Sequence, residues 1–173
     1  MNSVSVKVCG ITRTVDAGLA LELGAEKLGF IIHEKSPRKI SFSEVDKIKA
    51  ELSLDSSKMV AVEVTPDLDH LKQIQLNGFG VFQLHFPHDF SREIIKQWSD
   101  LVGPGNLWLA PRLPTGIDFP KDLLSYANTF LIDAYSKNKF GGTGELSDWE
   151  SFSHWSQIYS SKKWILAGGI SPE

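Results

Sequence analysis

The chain has 173 residues, 42% of them apolar, which is ample for one domain with a sizeable core. A formal net charge of −3, a pI near 6.0 and the absence of any basic block argue against a nucleic-acid surface. No apolar run approaches the roughly eighteen residues of a membrane span, and no charged-then-apolar leader is visible. The single cysteine cannot close an internal disulfide, and five scattered histidines give no zinc spacing. The expectation is a cytoplasmic protein without a metal, a membrane or a nucleic-acid partner.

In chain order, Val4 to Cys9 alternates as a first strand and stops at Gly10. Thr14 is placed to cap a helix over 15–23 that Gly24 ends. Lys27 to Ile32 is a second strand, leading into the polar loop Glu34-Lys35-Ser36-Pro37-Arg38. Ser41 and Glu44 have capping-box spacing, which starts a helix running to Leu52. Met59 to Val64 is a third strand, and Thr65-Pro66-Asp67 opens a helix that ends near Asn77-Gly78. A fourth strand spans 80–85, then Pro87 and a helix over 91–99. Asn106 to Ala110 reads as the fifth strand, followed by a proline-punctuated connection and a short helix near Leu123. Thr129 to Asp133 is the sixth strand, trailed by the loop Gly141-Gly142-Thr143-Gly144 and a helix over 149–159. Lys163 to Ala167 is the seventh strand, before Gly168-Gly169.

Strands alternating with helices imply consecutive βα units and a parallel sheet, and their density in Val, Ile, Leu and Phe implies burial on both faces. Polar residues end nearly every strand, as in a (β/α) barrel whose loops all face one site. The glycine fingerprint of a dinucleotide-binding doubly wound sheet is absent after the first strand. The fold class expected is therefore α/β of TIM-barrel type, in a single domain over 1–173.

Residues just past the carboxyl ends of parallel strands converge on one side, so the ionisable groups there are the candidate site. Cys9 ends the first strand: it is either an inert core thiol or a base acting on a carbon acid. Asp133 ends the sixth: it is either a cap or ion-paired carboxylate, or a general acid kept protonated by burial. Alternation puts His85 with Gln83 on one face of the fourth strand, either bonded in the core or touching substrate. Arg38 is a solvated charge or a receptor for a carboxylate or phosphate. Gly142 and Gly144 after the sixth strand, with Gly168 and Gly169 after the seventh, are plain turns or a phosphate cradle of backbone amides.

These residues lie in segments that resemble phosphoribosylanthranilate isomerases of tryptophan biosynthesis. The segments are Lys7-Val8-Cys9-Gly10-Ile11-Thr12, Gly24-Ala25 with Leu28-Gly29-Phe30, Lys35-Ser36-Pro37-Arg38 and Gln83-Leu84-His85. Leu131-Ile132-Asp133-Ala134, Gly141-Gly142-Thr143-Gly144 with Asp148-Trp149, and Ala167-Gly168-Gly169-Ile170 before Pro172-Glu173 complete the series. The resemblance implies a (β/α)8 barrel that converts N-(5'-phosphoribosyl)anthranilate to 1-(o-carboxyphenylamino)-1-deoxyribulose 5-phosphate, an Amadori rearrangement needing no cofactor. It implies Asp133 as general acid, Cys9 as general base and Arg38 at the anthranilate end. His85 would lie beside the reacting ring, and the two glycine loops near the phosphate. A non-catalytic remnant that binds a sugar phosphate or a partner chain is the competing reading. Another phosphate-binding barrel enzyme, such as indoleglycerol-phosphate synthase, is a third.

Four departures from the family are visible. Its members continue past the equivalent of Pro172-Glu173 with an eighth βα unit, so seven strands with the eighth unit missing are expected here. Unpaired groups along the first and seventh strands would each cost about 1–3 kcal/mol, against a total stability of roughly 5–15 kcal/mol. A longer parent sequence removes that cost; an open seam instead predicts self-association of a monomer or homodimer. Phe86 stands where glycine is usual, and Leu107-Trp108-Leu109-Ala110-Pro111 lacks the usual Lys-Ala pattern. Glu63 stands where an apolar residue is usual, and alternation suggests Lys7 as its partner.

Overall fold

The structure, a computed structural model, describes residues 4–114, 116–133 and 149–168. Its strands are β1 (Lys7–Cys9), β2 (Lys27–Ile31), β3 (Met59–Val64), β4 (Val81–Pro87), β5 (Leu107–Arg112), β6 (Thr129–Ile132) and β7 (Lys163–Leu166). Its helices are α1 (Thr14–Glu22), α2 (Phe42–Leu52), α3 (Leu68–Leu76), α4 (Arg92–Val102) and α5 (Trp149–Ile158), with short 3₁₀ turns over Ser56–Lys58 and Lys121–Ser125. The sheet order is β1-β2-β3-β4-β5-β6-β7, the α/β pattern expected of consecutive βα units. The chain falls into two compact units, Met1–Gln83 and Leu84–Glu173.

In the first unit, β1, β2 and β3 pair in parallel, with Cys9 opposite Gly29 and Gly29 opposite Val60. The β1 ladder is shorter than the alternation suggests, because β2 begins at Lys27, opposite Lys7. Val4 and Val6 lie ahead of the ladder and are exposed, although the Val6 carbonyl still accepts from the amides of Glu26 and Lys27. Helix α2 starts as its sequence dictates. The Ser41 hydroxyl accepts from the Glu44 amide at 3.3 Å, and the Glu44 carboxylate accepts from the Ser41 amide at 3.0 Å. Asp67 caps α3 by accepting from the His70 amide at 2.7 Å. Helix α1 differs: Thr14 is its first residue, and Arg13 holds the cap position in extended backbone without a capping side-chain bond. An Arg13–Asp16 ion pair at 2.6 Å spans that first turn instead, with the carboxylate at the positive end of the helix dipole.

In the second unit, β5, β6 and β7 pair in parallel, with Leu109 opposite Phe130 and Phe130 opposite Trp164. Two aromatic clusters fill it. Phe86 is fully buried and meets Trp98 edge-on at 6.0 Å, while Phe90 stacks on Trp98 at 5.2 Å. Phe119 meets Phe130, Trp155 and Trp164 at 5.1, 5.8 and 5.0 Å. Asp118 anchors the second cluster, accepting from the Trp155 indole at 2.9 Å and the Phe119 amide at 2.8 Å. These two donors, the indole above all, hold the Asp118 carboxyl below its ordinary 3.8.

Two outcomes are expected. Phe86→Ala should lower the unfolding free energy in urea by about 3–5 kcal/mol, the usual loss for a buried phenyl ring. Because the Asp118 carboxyl is depressed in the fold, the unfolded chain takes up its proton first. The stabilisation is therefore present above about 3.8 and disappears as pH falls through the lower, folded value. Trp155→Phe should reduce that part of the acid dependence, as thermal melts between neutral and strongly acidic pH would register.

Candidate active site

The site is built outward from the end of β1. Cys9 is its last residue and is exposed. The next two amides, of Gly10 and Ile11, both donate to the Gly29 carbonyl at 2.9 and 3.0 Å, which turns the chain away from the strand. Gly10 has φ +85, a region that favours glycine. The loop after β2 returns over this turn. It is closed at its base by the Ile40 amide donating to Ile31 at 3.0 Å, and tightened by the Ser36 amide donating to His33 at 3.1 Å. The Arg38 amide donates to the Ser36 hydroxyl at 3.2 Å, and an ion pair joins Glu34 and Lys39. So folded, the loop lays the Arg38 guanidinium across the end of β1, where Nη1 donates to the Cys9 carbonyl at 3.2 Å.

Space at this strand end is limited by two glycines. A Cβ on Gly10 would stand 2.6 Å from Arg38 Nη1. Lys7 and Cys9 alternate on one face of β1 and lean together over Gly29. A Cβ there would be 2.8 Å from Lys7 Nζ and 2.9 Å from the Cys9 Sγ. A thiol with an ammonium and a guanidinium close by is a set of groups suited to an anionic molecule with a proton to move. Arg38 and Cys9, both singled out in the sequence, are thus brought together. Lys7 joins them, and its signal was the alternation with Cys9.

The other candidates lie in the second unit. Asp133 follows the last residue of β6 and is half-buried. Gly168, with φ +81, lies two residues beyond β7, whose Leu166 is paired with Ile132. Asp133 and Gly168 therefore stand past the ends of neighbouring parallel strands. His85 is 8% exposed within β4, where all of Val81 to Phe86 is buried and burial does not separate the two faces. Gly142, Gly144 and Gly169 lie outside the described residues.

Glu63 is not placed as alternation suggested. In place of Lys7 it takes two imidazoles: Oε1 accepts from His33 Nδ1 at 2.6 Å, and Oε2 from His70 Nε2 at 3.0 Å. All three line a cavity of about 250 Å³ with Glu34, Thr65 and Asp67. The sequence held the cue, a carboxylate in an apolar strand that requires partners, but its partners come from a loop and a helix that strand alternation does not reach.

Comparison with known proteins shows the family and the fold. The family model for N-(5'phosphoribosyl)anthranilate (PRA) isomerase matches residues 6–173. The N-(5'-phosphoribosyl)anthranilate isomerase of Trichodesmium erythraeum is 37% identical over 179 residues, spanning 97% of this chain and 72% of the relative. The phosphoribosyl anthranilate isomerase of Thermus thermophilus superposes with a TM-score of 0.74 at 27% identity, covering 98% of this chain and 78% of that one. The monomers generated from the dimeric phosphoribosylanthranilate isomerase of Thermotoga maritima give a TM-score of 0.70 at 25% identity, over 99% and 78%. The architecture is accordingly α/β of TIM-barrel type.

The crowding at Gly29 makes a prediction independent of turnover. Gly29→Ala should retain the far-UV circular dichroism of the parent, because the Lys7 tip can swing aside. It should slow alkylation of Cys9 by iodoacetamide roughly threefold or more, because the shorter thiol side chain has less room to move away.

Proposed function

Because the chain belongs to the N-(5'-phosphoribosyl)anthranilate isomerase family, we propose that it isomerises N-(5'-phosphoribosyl)anthranilate to 1-(o-carboxyphenylamino)-1-deoxyribulose 5-phosphate in tryptophan biosynthesis. The reaction is a redistribution of protons within one molecule, so acid and base groups suffice, without metal or cofactor. Asp133 gives a proton to the furanose ring oxygen as the ring carbon–oxygen bond breaks, leaving a Schiff base. The Cys9 thiolate takes the proton from the adjacent sugar carbon, and the electron pair moves to the imine nitrogen, forming an enolamine. Tautomerisation to the ketone ends the sequence, and proton exchange restores both side chains.

Arg38 receives the anthranilate carboxylate, and His85 lies beside the reacting ring. The amides at Gly142, Gly144, Gly168 and Gly169 take the phosphate. The single observation that carries this reading is the Arg38 guanidinium lying over the end of β1, 3.2 Å from the Cys9 carbonyl. A carboxylate held there by the guanidinium sits beside the only thiol in the chain.

We place this activity in the cytoplasm, in a single barrel domain working as a monomer or homodimer; the related Thermotoga maritima enzyme is described as dimeric. No helix among the described residues is long and apolar enough to cross a membrane.

The test is a fluorescence assay that follows loss of the anthranilate substrate. Cys9→Ala and Asp133→Asn should each reduce kcat by about 100-fold or more, the scale of a positioned acid or base. A near-normal rate in either variant removes that residue from its role, and no turnover by the parent chain removes the isomerase reading. Arg38→Ala should act mainly on KM, since the contact it loses is present in ground state and transition state alike.

A further inference from the structure

The His33–Glu63–His70 cluster lies outside the acid–base chemistry, yet its central carboxylate is among the most deeply set polar groups of the first unit. The Glu63 side chain is 4% exposed, those of His33 and His70 28% and 35%. A carboxylate at that depth is tolerated only when its oxygens are occupied by donors. Glu63 has three: His33 Nδ1 at 2.6 Å, the Val64 amide at 2.8 Å and His70 Nε2 at 3.0 Å. Among the described residues, no group of His, Cys, Asp or Glu is arranged to hold a metal ion. The cluster is a hydrogen-bonded clamp.

What it clamps is the loop that carries Arg38. His33 is the first polar residue after β2, and its carbonyl accepts the Ser36 amide that starts the turn toward Arg38. At its far end the loop is fixed by Ile40, which is 2% exposed and bonded to Ile31. Between these points it is mostly exposed, with Glu34, Lys35, Pro37, Arg38 and Lys39 all facing water. The near end is held by Ile32, which is 5% exposed and whose amide donates to Val62 at 2.9 Å, and Glu63 extends that hold by one residue, to His33. The backbone beyond β3 is shaped to complete it. Thr65 adopts φ +44, unusual for a β-branched residue, and Asp67 then caps α3 so that His70 comes back to the second oxygen of Glu63.

We propose that Glu63 is a positioning residue for substrate binding. By holding His33 it fixes the loop over 33–39, and so keeps the Arg38 guanidinium over the end of β1. The proposal rests on the isomerase reading for its kinetic consequence, but not for its structural one.

The test compares the parent chain with Glu63→Leu, Glu63→Gln and Glu63→Leu combined with Arg38→Ala. Amide hydrogen exchange over 33–39 should accelerate in Glu63→Leu by about tenfold or more while α1 and α2 keep parental rates. It should return close to parental values in Glu63→Gln, whose amide keeps one acceptor and one donor for the two imidazoles. In the substrate assay Glu63→Leu should raise KM by about tenfold with kcat within about twofold. Adding it to Arg38→Ala should raise KM no further, the signature of two residues acting through one contact. Unchanged exchange over 33–39, uniform acceleration throughout the first unit, a loss confined to kcat, or additive KM effects would each overturn the proposal. If the parent chain shows no turnover, the isomerase reading falls. The exchange measurements still decide whether Glu63 fixes the loop.

Discussion

A parallel strand covered on both faces leaves no place for a polar side chain without a partner. That constraint organises this molecule. Four of the six residues of β3 ahead of its last two are apolar and buried, and the one ionisable group, Glu63, sits next to the end, where a loop and a helix can both reach it. Asp133 likewise stands one residue past β6, whose four residues are all buried, whereas Cys9 closes β1, a strand that is itself largely exposed. Polar groups of the site gather at the carboxyl ends of β1, β3 and β6 and in the loops that follow them, although Gln83 and His85 are buried within β4 itself.

The sequence was most legible where a local interaction decides the outcome. The Ser41–Glu44 capping box is closed within four residues, and α2 starts where that spacing says it must. Met59–Val64 is a strand from end to end as read, since its run of β-branched and apolar residues has no helical period. Legibility failed where a partner sets the limit. The alternation from Val4 is real, but the β1 ladder begins only at Lys7, opposite Lys27, and ahead of it only the Val6 carbonyl is met, by the Glu26 and Lys27 amides. At α1 Thr14 is already the first helical residue, so the cap position falls to Arg13, which makes an ion pair with Asp16 and no capping bond.

The site followed the same rule. That Cys9 closes a strand could be read directly from the chain, and Arg38 could be assigned to a loop. That the loop doubles back onto the Cys9 carbonyl depends on turns at His33 and Ser36 and on the Ile40 amide donating to Ile31, none of which has a one-dimensional signature. Glu63 shows the limit clearly, since alternation reports a shared face and nothing about imidazoles arriving from elsewhere. Phe86 is the converse case. In the sequence it stands out only as a departure from the family's usual glycine. In the fold it is a buried member of the ring cluster with Phe90 and Trp98, and the strand runs on to Pro87.

The two bare positions at the end of β1 carry an evolutionary consequence. Lys7, Cys9 and Arg38 occupy the volumes that side chains at Gly29 and Gly10 would claim. Diversifying either glycine to remodel the pocket would evict a functional group before it created a new contact. Substrate range in a lineage of such chains must therefore drift through the loops, while these two sites stay empty of side chains for as long as the thiol is needed.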